Sequence, residues 1–246
     1  MVEKIKADEE PKKSCNKKKP SSNMYSNVKT WNPFKGCTFD CIYCKPSFQA
    51  QAKRQKNRCM DCYNFTPHTH PDRLDKIPSG CDTVFVCGNG DISFCDPKYT
   101  IEIINSIKKN NLKNNKTFFM QSKNPKYFQQ FLKLLPDNVK LITTLETNRD
   151  DGYKKISKAP VPSVRYKQFL ALDYPHKVLT IEPIMDFDHE EFLAMIMNIN
   201  PELVWLGVNS RPKQVTLPTP VKAKFDKLYN DLISNKINVQ FMNKME

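Results

Sequence analysis

Trp31-Asn-Pro-Phe-Lys-Gly-Cys37-Thr-Phe-Asp-Cys41-Ile-Tyr-Cys44 is the stretch whose reading decides the fold. It holds three cysteines in a C-x3-C-x2-C spacing, directly after an apolar run, Val28–Pro33. Three thiolates on one short loop can ligate three irons of a cubane iron–sulfur cluster, which leaves the fourth iron without a protein ligand. Zinc prefers four protein ligands in a structural site, and this spacing is not a usual zinc spacing.

Outward from this loop the chain alternates. Apolar runs recur at Val28–Pro33, Thr83–Cys87, Thr117–Gln121, Leu141–Leu145, Val178–Ile181, Leu203–Val208 and Val239–Met242. They are near-continuous, as strands of a covered parallel sheet are. Between them lie helical stripes: Phe128, Phe131, Leu132, Leu135; Phe192, Met195, Ile196, Ile199; and Phe225, Leu228, Tyr229, Leu232. Each repeats at i, i+3, i+4, i+7. Asn124 before Pro125 reads as a helix N-cap with proline in the first turn. The alternation predicts an α/β fold, a partial (β/α)6-type TIM barrel over residues 23–246. Its long irregular segment 45–80 is an insertion after the cysteine loop. Residues 1–22 read as a basic disordered tail.

The cysteine loop, with aromatic Tyr43 just before its last thiol, resembles the signature of the radical S-adenosylmethionine (SAM) superfamily. The order WNPFKGC, FTPHTHPDRL, VFVCGNGD, SKNP, ETN, IEP resembles a little-characterised phage-type branch of it. The resemblance implies a [4Fe–4S] cluster on Cys37, Cys41 and Cys44, with SAM on the open iron. An electron from the cluster then cleaves SAM and releases a 5′-deoxyadenosyl radical. It also implies an electron donor of the flavodoxin or ferredoxin type.

In β/α barrels chemistry sits where strands end. The second long strand ends in Gly88-Asn89-Gly90-Asp91. Alone this is an ordinary turn sequence. Beside the cysteine loop it resembles the glycine-rich motif that binds the methionyl amino group, with Asp91 facing the ammonium. The same resemblance puts Tyr43 near the adenine. Later strand ends offer Lys123 for the cofactor carboxylate, Glu146 for the ribose hydroxyls and Glu182 for cofactor or substrate. Taken singly, each is an ordinary loop residue or helix cap.

A second group follows: Cys59-Met-Asp-Cys62, then His68 and His70. Three readings stay open. The group is a zinc site, it supports a second cluster, or it consists of reduced thiols beside surface histidines. His70, Asp72 and Arg73 are alternatively site residues. Cys87 reads as a core thiol.

The chain carries a formal charge of +13, of which the first twenty residues, with seven lysines and four acidic residues, supply +3. The remaining +10 favours nucleic acid or nucleotides as substrate, and Lys53, Arg54, Lys56 and Arg58 lie close in sequence to the cysteine loop. A non-catalytic Fe–S or zinc adaptor on nucleic acid is the competing reading. It requires four protein ligands at each metal and no cavity at the strand ends. No signal-like or membrane-spanning apolar run occurs, so the expected compartment is the cytoplasm, where clustered cysteines bind metal rather than form disulfides.

Overall fold

The structure, a computed structural model, describes residues 28–111 and 115–243, so the basic tail expected over 1–22 lies outside it. Among the described residues nine strands occur: β1 (Val28–Trp31), β2 (Phe34–Lys35), β3 (His68–Thr69), β4 (Thr83–Val86), β5 (Thr117–Gln121), β6 (Val139–Thr144), β7 (Lys177–Ile181), β8 (Leu203–Gly207) and β9 (Val239–Asn243). Six α-helices join them: α1 (Ala50–Ala52), α2 (Met60–Asn64), α3 (Pro97–Asn111), α4 (Pro162–Leu170), α5 (His189–Ile199) and α6 (Lys222–Ser234).

Seven strands form one parallel sheet in the order β1-β4-β5-β6-β7-β8-β9. Chain order equals sheet order, so the sheet curls in one direction into a partial barrel. Each of the seven apolar runs became one of these strands. The remaining pair, β2 and β3, is a short antiparallel clasp between the chain entering the cysteine loop and the insertion that follows it.

Both faces of the sheet are buried, which is why the runs look continuous rather than alternating. Val84, Val86, Phe118, Met120, Leu141, Leu179, Ile181, Val204 and Leu206 face outward into a core shared with the helices. The stripe of α5, Phe192, Ile196 and Ile199, and that of α6, Phe225, Leu228 and Leu232, close this layer. Residues of opposite parity, Phe85, Phe119, Ile142, Val178 and Trp205, form a separate cluster on the other face. Burying such side chains contributes about 1.5–3 kcal/mol each.

Two residues further along three of these strands, the same face turns polar. Gln121 donates to Thr144 Oγ1 at 2.8 Å, and Thr180 donates to Thr144 Oγ1 at 2.9 Å. This layer separates the apolar plug from the open end of the barrel.

The stripe predicted as a helix over 128–135 is two 3₁₀ segments, Pro125–Gln130 and Leu132–Leu134. Asn124 makes no side-chain cap; its N–H goes to Ser122 Oγ. In a 3₁₀ turn residues three apart eclipse. Phe128 and Phe131 therefore both enter the core and are fully buried.

Candidate functional site

A cavity opens at the C-terminal ends of β4 to β7. Cys37, Cys41 and Cys44 line it on one side; Gly88 to Asp91, Gln121, Lys123, Thr144, Thr180 and Glu182 line the other. The structure thus brings the three thiols together with six of the residues that the strand ends suggested, and Tyr43 is a seventh. Glu146 is not among them.

The loop is held from several directions. Ile42 N–H donates to Ile156 O, and Lys158 N–H donates to Phe39 O. The Phe39 ring packs at a tilt against Phe94, centre to centre 4.6 Å, and Cys41 Sγ lies 3.0 Å from Ser157 Oγ. Lys123 Nζ comes within 3.8 Å of Cys41 Sγ and 4.5 Å of the centre of the Tyr43 ring. Cys41 and Cys44 share a hydrogen bond that lowers Cys41 to about 6, against the effect of burial and with help from Lys123 and Ser157. Cys44 is raised as the other member of that pair. Burial, with Asp91 nearby, raises Cys37.

This donor set fits a cubane cluster. Three free thiols of one loop face one cavity, and a fixed ammonium stands where negative charge would gather. Cys37, Cys41 and Cys44 would hold the cluster.

Gly88-Asn89-Gly90-Asp91 both walls the cavity and braces the loop. Gly36 N–H donates to Asn89 O at 3.0 Å, Asp91 N–H donates to Gly36 O at 3.1 Å, and Asn32 Oδ1 accepts from Asn89 N–H. A side chain on Gly90 would meet Gly36 O at 2.5 Å, so glycine is required there by chain packing. The Asp91 carboxylate is fully engaged in capping: it accepts from Ser93 N–H and Oγ, from Ser122 Oγ at 2.7 Å and from Lys123 N–H at 2.8 Å. Burial raises its pKa nonetheless.

Glu146 sits behind the cavity wall with no exposure. It accepts from Tyr43 Oη at 2.5 Å, Lys123 Nζ at 2.6 Å, Arg165 Nη2 at 2.6 Å and Tyr153 Oη at 3.0 Å. Burial alone would raise its pKa, but Arg165 and Lys123 outweigh that and hold it at about 2. Its place is therefore the hub of a buried ion network that positions Tyr43 and Lys123, rather than a contact surface for ribose. Arg165, wholly buried on α4, also donates to Thr144 O. Sequence reasoning missed Arg165 and Tyr153. The one available signal was an arginine four residues before Phe169, on the apolar side of a helix.

Glu182 is the contrasting carboxylate. It lines the cavity with only the distant influence of Lys123, and burial raises its pKa to about 7. Arg73 and Asp72 lie away from the cavity. The indole N–H of Trp31 donates to Arg73 O at 2.7 Å, and Asp72 forms an exposed pair with Lys76. Cys87 is a buried core thiol, as expected.

The second cysteine group also converges. The ligand atoms of Cys59, Cys62, His68 and His70 all lie within 4.8 Å of one another. These four residues are outside the barrel mouth, in the insertion.

No family model matches the chain, and no curated protein matches it in sequence. Solved structures do match. Streptococcus suis SuiB bound to precursor peptide SuiA superposes with a TM-score of 0.56 at 10% identity, over 89% of this chain and 48% of SuiB. Spore photoproduct lyase complexed with dinucleoside spore photoproduct gives 0.55 at 9% identity, over 87% and 76%. The likeness is one of fold. The chain spans about half the length of SuiB. Among the described residues, no helix is long and apolar enough to cross a membrane.

Proposed function

We propose that this chain is a radical SAM enzyme that modifies a nucleic acid or nucleotide. The observation that carries the enzyme reading is the convergence of three thiols of one loop on a cavity at the C-terminal edge of a parallel partial barrel. SuiB and spore photoproduct lyase, the two solved structures named above, are radical SAM proteins, which supports it. The order of motifs along the chain favours the phage-type branch.

When bound, the cluster supplies the electron that breaks a C–S bond of SAM. The chain's own residues do the rest. Cys37, Cys41 and Cys44 would hold the cluster and leave one iron free for the cofactor. Lys123, fixed by Glu146, offers an ammonium to the cavity beside Cys41. Tyr43 is pinned by its hydroxyl, so its ring presents a flat wall for a base. Glu182, neutral or charged near neutral pH, can hold or release a proton at the cavity. The Gln121–Thr144–Thr180 layer forms the floor, and the apolar cluster of Phe85, Phe119, Ile142, Val178 and Trp205 beneath it keeps water from rising through the barrel.

The basic surface supports the choice of substrate. Lys53, Arg54, Lys56 and Arg58 are exposed on the insertion. An enzyme acting on a base must take it from the stack or from a single strand, and phosphate contacts make such binding fall steeply with salt. A flavodoxin- or ferredoxin-type protein would deliver the electron. The adaptor reading is disfavoured by the cavity beside the three-thiol loop, which an adaptor has no use for.

The test is anaerobic reconstitution with iron and sulfide, followed by reduction in the presence of SAM. Formation of 5′-deoxyadenosine supports the proposal. A protein that holds the cluster yet neither binds nor cleaves SAM would overturn it. Reversal of Lys53 and Arg54 to Glu should weaken tRNA or single-stranded DNA binding while leaving SAM cleavage intact. Binding that is absent or independent of salt would remove nucleic acid as the substrate.

A further inference from the structure

Cys59 and Cys62 flank the first turn of α2, and the N–H of Cys62 points at Cys59 Sγ at 3.4 Å. Phe65, at φ +59°, then turns the chain back. The segment that follows is extended, so His68 and His70, two residues apart, present their rings on the same side. Both rings arrive at the two sulfurs. Cys59 Sγ is 3.4 Å from His68 Nε2, Cys62 Sγ is 3.3 Å from His68 Nε2 and 3.3 Å from His70 Nε2, and the two Nε2 atoms are 2.9 Å apart.

Thiols hydrogen-bonded to imidazoles would pair off two by two. Here every donor approaches a common centre. His68 Nδ1 lies 2.7 Å from Thr66 O, so it carries the ring proton and leaves the Nε2 lone pair facing inward. Donors that converge in this way suit a cation between them. A tetrahedral ion with bonds of 2.0–2.3 Å to nitrogen and sulfur separates its donors by about 3.3–3.8 Å; the sulfur–nitrogen distances of 3.3–3.4 Å fall at the near end of that range, and the two nitrogens lie closer, at 2.9 Å. A polynuclear cluster would hold its ligands farther apart, because irons and sulfides lie between them.

We propose that Cys59, Cys62, His68 and His70 form a closed, structural Cys2His2 zinc site that clamps the insertion to the chain entering the three-thiol loop. Four protein donors leave no open position, so the ion serves structure and not catalysis. The clamp reaches the loop through backbone contacts. Phe34 and Lys35 pair with Thr69 and His68, His70 N–H donates to Pro33 O at 2.6 Å, and Cys37 N–H donates to Phe65 O at 3.1 Å. Phe65 is itself part of the cavity wall. Zinc at this point would fix the first cluster cysteine from outside the barrel.

The test separates this ion from the cluster. The variant Cys37→Ala/Cys41→Ala/Cys44→Ala should lose its cluster iron yet retain about one zinc per chain by elemental analysis. Cys59→Ala/Cys62→Ala should lose that zinc. Cobalt introduced into the cluster-lacking protein should give the intense visible bands of a tetrahedral ion with sulfur ligands. A cluster-lacking protein that holds no zinc and takes up cobalt only with weak octahedral bands overturns the site. So does a zinc content that Cys59→Ala/Cys62→Ala leaves unchanged. If that double variant fails to fold, the cobalt spectrum of the cluster-lacking protein decides alone. Failure of SAM cleavage leaves these readings untouched.

Discussion

The two cysteine groups, 37–44 and 59–70, use the same thiol chemistry to opposite ends. In the first, three sulfurs face a cavity, and the fourth side is made of lysine, glutamate and backbone. In the second, the donor atoms of two cysteines and two histidines lie within 4.8 Å of one another. What differs is the supply of protein donors and the space beside them. Three donors at a cavity suit a reactive centre that must accept a small molecule, and four donors that close on one another suit a brace. The first group is correspondingly supported by distant elements, with Ser157, Lys123 and Asn89 all contributing. The second is assembled from twelve consecutive residues, Cys59 to His70.

The largest expected effect breaks the first group alone. Replacing any one of Cys37, Cys41 or Cys44 with alanine should abolish the brown absorbance of about four irons in reconstituted protein. A normal cluster in all three variants would refute the assignment.

Next comes the buried network. Glu146→Ala leaves Arg165 without its carboxylate inside the fold, and such an unpaired buried charge costs roughly 3–5 kcal/mol. Urea denaturation should show this loss, and Glu146→Gln should recover part of it. A cost below about 1 kcal/mol would place the support of the three-thiol loop elsewhere. The contrast with the second group is sharp, because its residues have no buried ion pair behind them.

Gly36→Ala joins the two regions in one measurement. At φ +93°, with Thr66 O only 2.1 Å from the position of a Cβ, any side chain must displace the insertion. The strain at this position should cost about 1–3 kcal/mol, and both iron and zinc retention should fall together. Loss of one metal alone would show that the two groups are mechanically independent.

The smallest effect is a pH slope. Glu182 is raised to about 7 by burial, so the folded state holds its proton more tightly than the unfolded chain does. Its contribution to stability is therefore present below about pH 4.5 and declines as pH rises through 7. Glu146, lowered to about 2, has the opposite sign: its contribution is present above about 4.5 and is lost as pH falls toward 2. Glu182→Gln should flatten the stability profile between pH 5 and 7, roughly the span of its shift, and leave the acid limb unchanged. A profile that does not respond would mean that Glu182 is solvated in solution.

The seven strands and the three-thiol loop were legible because each rests on consecutive residues: an apolar run, or three cysteines within eight positions. The stripe of α5 was legible for the same reason. The role of Glu146 was not. Its partners, Tyr43, Lys123, Tyr153 and Arg165, are scattered over more than a hundred residues, and no local pattern marks an arginine that will be buried. Thr144 and Thr180 escaped notice because threonine is an ordinary strand residue, and only their shared face makes them a layer. Asn124 misled because the turn after it is 3₁₀: the Tyr127 N–H, which a side-chain cap could have taken, donates to the Asn124 backbone carbonyl. The second cysteine group was visible as a spacing, but only the fold of Phe65 showed that the histidines meet the sulfurs.

Gly36 bears on the order in which the protein is made ready. Its amide and carbonyl contact Asn89 and Asp91, more than fifty residues onward, and the next amide contacts Phe65. These contacts close loops of very different length, and the longer closure costs more chain entropy. The short insertion, with its own four donors, can be organised soon after it is synthesised. The three-thiol loop reaches its final shape only after β4 has arrived and the Gly88–Asp91 turn has locked against it. Iron delivered earlier would meet a slack chain with three loose thiols. On the proposed function, the cluster would be a late addition to a nearly finished fold, entering from the open end of the barrel.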